Sequence, residues 1–219
     1  MLDTYLLMLA ALFPMVNPPG SALVFLAMTK RASATVRRQL AKRVAINAFF
    51  VMAGSLLIGA FVLKIYGISV VVLRLSGGLV VASSGWMLLN AGSSKEEAAL
   101  AGSGESKIDY RSQAFYPLTM PLTTGPGTIA VIISLGLSRG AYSAHGADFA
   151  FFGAGLLATI TIAATVYFCF ASSDWIAKVL GKGGTDIAVR LSAFILFCLG
   201  MQIVWSALID LLKQAIPAA

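Results

Sequence analysis

Histidine occurs once in this chain, cysteine twice, and charged residues make up only 11% of it. A soluble domain carries roughly 25% charged residues, so this composition cannot clothe a water-solvated enzyme. Cys169 and Cys198 lie inside apolar runs with no CxxC or Cys/His spacing, and His145 stands alone. Zinc sites, haem attachment and disulfide scaffolds therefore have no residues to build them. An intramembrane enzyme would need a nucleophile with a base or a metal site, and no His, Cys or acid pair is placed for that. The expectation is a protein that is not an enzyme and carries no cofactor.

Apolar sequence is what the chain has in abundance: 58% of 219 residues are hydrophobic and the mean hydropathy is +0.87. A helix crosses a bilayer with about 20 apolar residues. Six stretches meet that length, at residues 4–28, 44–63, 69–90, 114–138, 147–171 and 188–212. The first opens with Asp3, carries prolines in mid-run and flows straight into a basic loop, so it is expected to stay in the mature protein rather than act as a signal peptide. Lys30, Arg31, Arg37, Arg38, Lys42 and Arg43 crowd the connection between the first two stretches, Lys95, Lys107 and Arg111 follow the third, and Lys178 and Lys182 follow the fifth. Only Lys64, Arg139 and Lys213 lie on the other side. The excess of positive charge places those loops in the cytoplasm and both termini outside it. The net charge of +7 thus belongs to orientation and to contact with anionic lipid heads, not to nucleic acid, for which no aromatic-interleaved basic motif is present. Trp175, Tyr66, Tyr116 and Trp205 fall near the expected interfaces, as aromatic anchors do.

A Gly/Ser/Ala/Lys/Glu-rich segment reads as a flexible cytoplasmic linker, taken as residues 93–113, between two groups of three spans, residues 1–92 and 114–219. The two groups match. Pro14-Met15-Val16-Asn17-Pro18-Pro19-Gly20-Ser21 aligns with Pro121-Leu122-Thr123-Thr124-Gly125-Pro126-Gly127-Thr128 at an offset of 107, and Arg74-Leu75-Ser76 aligns with Arg190-Leu191-Ser192 at an offset of 116. Six of the seven prolines fall in spans one and four, three in each. With three spans per group the second copy enters the membrane from the opposite face, an inverted-topology repeat.

Proline lacks an N–H and clashes with the preceding helical turn, so Pro18-Pro19-Gly20 and Gly125-Pro126-Gly127 interrupt their spans near mid-length. Each unsatisfied backbone group in hydrocarbon costs several kcal/mol, so such interruptions must face protein, water or a ligand. The fold expected is an all-α membrane protein of six transmembrane helices in two inverted three-helix repeats, with helices 1 and 4 broken at the midplane. Asn17 before Pro18, and Thr124 or Gly125 before Pro126, have the form of a cap ahead of a helix restart. Each restart then points free N–H groups at the centre, where an anionic group is favoured, while free carbonyls suit a cation. A small zwitterion such as an amino acid meets both demands. Asn17, Ser21, Thr119, Thr123, Thr124 and Thr128 are the side chains in reach, although hydroxyls beside a proline kink also serve to re-satisfy freed carbonyls of their own helix.

At these residues the sequence resembles the MarC family of bacterial and archaeal inner-membrane proteins. Asn17-Pro18-x-Gly20, followed by Phe25-Leu26-x-x-Thr29, and Gly125-Pro126-Gly127 carry the resemblance, and Pro19 stands where a variable residue is usual. The resemblance implies transport of small neutral amino acids such as glycine and alanine, coupled to a cation, with Asn17, Pro18, Gly20, Gly125, Pro126 and Gly127 forming the substrate site. Ser21, Thr123, Thr124 and Thr128 join them from the reading of the residues themselves. Arg74 and Arg190 are candidates for gates, pairing for instance with Asp186 or Asp148, or else snorkel to head groups. The nine acids lie in loops or near span ends, so a sodium ion held by carbonyls and hydroxyls is easier to build than a proton-coupling side chain; a coupling ion is expected to be Na+ or H+. Gly78-x-x-x-Ala82 reads as a close-packing surface, and Asn47, Asn90 and Gln202 as interhelical hydrogen-bonders. The alternatives are a small-anion channel or an exporter of another small metabolite.

Overall fold

The computed structural model describes residues 2–29, 32–90, 114–116, 118–138 and 149–215. The linker expected at 93–113, His145 and Asp148 lie outside them. Among the described residues the structure is helical throughout, with no strand: α1 (Leu2–Val16), α2 (Pro18–Met28), α3 (Ala34–Tyr66), α4 (Val70–Asn90), the short π-helical turn α5 (Leu118–Thr123), α6 (Pro126–Ser138), α7 (Phe149–Ala171) and α8 (Ser173–Ala215). Five segments are long and apolar enough to cross a membrane: Leu2–Leu26, Ala34–Tyr66, Val70–Asn90, Phe149–Ala171 and Gly183–Lys213. The stretch expected at 114–138 is divided instead, with Pro126–Leu137 as a shorter apolar helix.

Two helices run further than their apolar cores. At 1.5 Å per residue α3 is about 50 Å long, against about 30 Å of hydrocarbon, so its basic first turns project beyond the apolar slab. Ser33 starts it, its side chain accepting the Val36 N–H. The connection expected at 172–187 is helical too. It forms the opening of α8, interrupted only at Gly181, whose φ of 65° is open to glycine at no steric cost.

The principal packing partners come from opposite halves of the chain: α1 and α2 against α7, α3 against α6 and α7, α4 against α6 and α8, and α2 against α8. Met8, Leu12, Val16, Phe25, Val44, Met52, Leu56, Ile132, Ile162, Val166 and Phe170 make one buried apolar cluster from five helices. Phe25 and Phe170 stack inside it with centroids 4.5 Å apart. Outside, Phe50, Ile58, Phe61, Trp86, Met87, Phe168, Ile187 and Trp205 are exposed, an apolar coat that only lipid can solvate.

The α4–α8 seam is built differently. Apolar burial drives little between helices already in lipid, so close approach rests on small residues. A Cβ on Gly78 would lie 3.0 Å from the Gly200 carbonyl, one on Gly85 2.8 Å from the Phe197 Cα, and one on Gly200 would collide with the Ala82 amide. The Gly78-x-x-x-Ala82 surface is therefore in backbone contact with α8. Asn90, by contrast, donates to the Trp86 carbonyl of its own helix at 2.9 Å rather than across, and Gln202 is exposed.

Gly200→Ala should lower the thermal midpoint of the detergent-solubilised protein, by the equivalent of about 1–3 kcal/mol for overpacking. Gly54→Ala, where an added Cβ meets nothing within 4 Å, should leave it unchanged or raise it. Circular dichroism melts of the two variants make the comparison.

Candidate functional site

One residue makes the first interruption. Proline disfavours the right-handed helical conformation in the residue before it, and Asn17 adopts the left-handed one, φ 45° and ψ 60°, which Asn visits more readily than other side chains. Its N–H still reaches the Phe13 carbonyl and its carbonyl accepts the Ser21 N–H, both at 2.9 Å. Its side-chain Oδ1 accepts the Gly20 N–H at 3.3 Å. Pro18 and Pro19 contribute no N–H at all. The free N–H groups expected at the start of α2 are thus absent: two positions have no donor, and the next two are closed by Asn17.

The second interruption is longer. Met120 precedes Pro121 and takes φ −113°, ψ 124°, the extended region that a following proline imposes. Around it three hydroxyls donate to carbonyls five residues back: Thr119 to Ala114 at 2.7 Å, Thr123 to Leu118 at 2.8 Å and Thr124 to Thr119 at 3.4 Å. These hydroxyls add to a wide turn that the backbone also closes, the Thr119 N–H reaching the Ala114 carbonyl at 3.2 Å and the Thr124 N–H the Thr119 carbonyl at 2.8 Å. Gly125 then leads into α6 with Pro126 in its first position. Gly127 and Thr128, both buried, occupy the first turn, where a helix has N–H groups without partners inside itself. The amide-rich end is therefore that of α6, not α2.

The interruptions are side by side. Ser21 Oγ donates to Val16 in its own segment at 3.1 Å and across to the Leu122 carbonyl at 3.3 Å. A Cβ on Gly127 would lie 3.3 Å from Met15 Cε and from the Gly77 carbonyl, and would collide with Val81. A Cβ on Gly20 would lie 2.7 Å from Ser192 Oγ. Pro18, Gly20, Ser21, Thr123, Thr124, Gly127 and Thr128 are buried, Asn17 and Gly125 half-buried, and Pro126 exposed. Two surface cavities, of about 330 and 450 Å³, lie away from this cluster, beside Tyr5 and Thr161 and beside Arg38 and Tyr167.

Arg74 finds a different acid from those expected. Its NH1 donates to Asp210 Oδ2 at 3.1 Å and its Nε to Ser134 Oγ. Asp186 and Arg190 are both exposed on α8. A second ion pair was illegible in the sequence, where Arg37 counted only as one of the basic loop charges. Arg37 is buried and bonds Asp174, the Thr29 hydroxyl at 3.2 Å, and the Thr29 and Ala32 carbonyls at 3.1 Å each. Thr29 in turn donates to the Phe25 carbonyl at 2.7 Å. The Phe25-x-x-x-Thr29 spacing thus joins the apolar cluster to this clamp. Arg37 lies near the start of α3 and Arg74 near the start of α4, and each bonds an acid of the other half.

Apolar helices coated for lipid, a basic end and two adjacent helix interruptions define a polytopic integral membrane protein. The profile of the MarC family, integral membrane proteins, matches residues 2–212, and the chain belongs to that family. It is similar to the inner membrane protein MarC of Salmonella arizonae, with 31% identity over 208 residues, and to that of Escherichia coli O1:K1 / APEC, with 32% identity over 208 residues; each match spans 94% of both chains. It is an integral membrane protein of the bacterial inner-membrane type. No solved structure matches it.

Replacing Asn17 separates its two jobs. Asn17→Ala loses the cap, at about 0.5–2 kcal/mol, and places a Cβ without a cap bond in the left-handed region, at roughly 1–2 kcal/mol more. Asn17→Gly loses only the side-chain bond. Thermal midpoints should therefore fall in the order wild type, Asn17→Gly, Asn17→Ala; equal midpoints for the two variants would show that the left-handed turn carries no cost here.

Proposed function

We propose that this protein is a secondary transporter for small neutral amino acids of the glycine and alanine class, working by alternating access around the two interruptions, and not an enzyme. The observation that carries the proposal is their adjacency: Ser21 bridges to Leu122 at a point where both backbones leave regular helix. Apolar helices have no packing reason to bring two such costly features together. A shared polar site supplies one. In it Gly127 and Thr128 amides of α6 take the carboxylate, and carbonyls near Val16 and Leu122 with the Asn17 side chain take the ammonium. Thr123 and Thr124 hydroxyls switch from local carbonyls to ligand, the Thr128 hydroxyl joins them, and a sodium ion fits the same oxygen-rich surroundings.

Internal symmetry supports two inverted repeats. Gly20 and Gly127 are matched residues, and so are Ser76 and Ser192. Gly20 packs on Ser192, and Gly127 packs on Gly77, next to Ser76. Each interrupted span therefore meets the corresponding part of the other half, as an exchange of partners about a two-fold axis requires. The clamps complete the mechanism. Arg37–Asp174 closes the basic, cytoplasmic end and Arg74–Asp210 with Ser134 closes the other. Both are made at once, and the Thr123 and Thr124 hydroxyls are turned onto their own segment, as a carrier shut at both ends would have them. Release of one clamp at a time opens one face.

In proteoliposomes, labelled alanine or glycine should exchange saturably and be displaced by the unlabelled amino acid. Asn17→Ala and Thr124→Ala should reduce exchange while leaving the protein inserted, and Arg74→Gln or Asp210→Asn should cost about tenfold, equivalent to roughly 1.4 kcal/mol of gate stability. Rapid, non-saturating anion flux indifferent to amino acids would make the protein an anion channel instead. For orientation, Ile68→Cys in a background with Cys169 and Cys198 replaced by Ser should react with an impermeant thiol reagent in intact spheroplasts, and Gln39→Cys only after lysis. The reverse pattern would invert the topology.

A further inference from the structure

We propose that the cavity between α3 and α7 at the basic end binds the head group of an anionic phospholipid, through its phosphate. The cavity, about 450 Å³, is lined by Ala34, Thr35, Arg38, Gln39, Lys42 and Tyr167. Arg38 and Lys42 are one turn apart on the same face of α3. No acid is among the lining residues, and the two ion pairs found among the described residues belong to Arg37 and Arg74. The Tyr167 hydroxyl accepts from Arg38 Nε at 3.3 Å, which draws the guanidinium toward α7 while leaving four of its five N–H donors to other partners. Two cations that no acid among the described residues compensates, beside the Thr35 hydroxyl and the Gln39 amide, suit a phosphate: a guanidinium can grip two of its oxygens, and an ammonium adds a point charge.

Depth and apolar continuity make the ligand a lipid rather than a soluble phosphate. From Lys42 to Tyr66 the helix spans about 36 Å, so Arg38 and Lys42 stand at head-group level above about 30 Å of hydrocarbon. One and two turns further along α3, Ile46 and Phe50 are 44% and 67% exposed, and Phe168 of α7, next to Tyr167, is 66% exposed. Acyl chains therefore have an apolar surface that begins where the cations end. A zwitterionic head group would bring its own cation against Arg38 and Lys42, so a net negative head is selected. The site requires only that the protein sits in a membrane, and is independent of what it transports.

Full-length protein, purified in neutral detergent and supplied with lipid, provides the test by native mass spectrometry. Phosphatidylglycerol should remain bound, phosphatidylcholine should not, and inorganic phosphate at the same concentration should give no adduct. Retention of phosphatidylglycerol should fall at least fivefold in Arg38→Gln/Lys42→Gln and be unchanged in Lys64→Gln at the opposite end of α3. Should the double variant fail to fold, Lys42→Gln alone should weaken retention and Lys64→Gln should not. Retention by the variants equal to wild type, equal retention of phosphatidylcholine, or an equivalent phosphate adduct would each overturn the proposal.

Discussion

A peptide group deprived of its hydrogen bond inside hydrocarbon has nowhere to turn, and most of this structure can be understood as a response to that one constraint. Long uninterrupted helices meet it without help. The two interrupted spans cannot, because proline removes donors and bends the chain away from its carbonyls. The protein answers differently at each place. At Asn17 a single left-handed residue keeps its own two backbone bonds and adds a third through its side chain. Around Met120 the helix widens, backbone N–H groups reach carbonyls five residues back, and threonine hydroxyls add a second bond to some of them.

Those answers also explain why the halves are interleaved. One bond, from the Ser21 hydroxyl to the Leu122 carbonyl, links the two interruptions directly. Bringing them together forces each half to wrap around the other, so that the apolar cluster draws on α1, α2, α3, α6 and α7 in common. Arg37 and Arg74 are consistent with that economy, since each reaches an acid contributed by the opposite half. The molecule is therefore held by few features that belong to one half alone.

Much of this was legible in the residues. Hydropathy and length placed the long helices, because lipid imposes a span length that sequence must obey. Proline and glycine placed the interruptions to within a few residues, because their backbone chemistry is local. Asn17 was recognisable as a cap for the same reason. The contacts that were not legible share a cause: they depend on what lies across space. Nothing in the sequence distinguishes Arg37, buried in a clamp, from Arg38, lying on the surface one residue later. Asp210 gave no sign that it would meet Arg74, and Ser192 was visible only as a member of a matched triplet. The free amides expected at Pro18 failed because two adjacent prolines remove the donors that a restart normally offers. The helical opening of α8 was missed because its lysines and glycines read as loop, while Gly181 alone accommodates the bend.

The glycine seam between α4 and α8 has a mechanical meaning. Where two helices touch backbone to backbone, no side chain remains to rotate, yield or slide between them. Prising such a joint apart would leave bare main chain against lipid on both sides. The pair is therefore a joint with little room to give. The strands of chain that carry the interruptions hang from it on either side: Gly127 touches α4 at Gly77, and Gly20 touches α8 at Ser192.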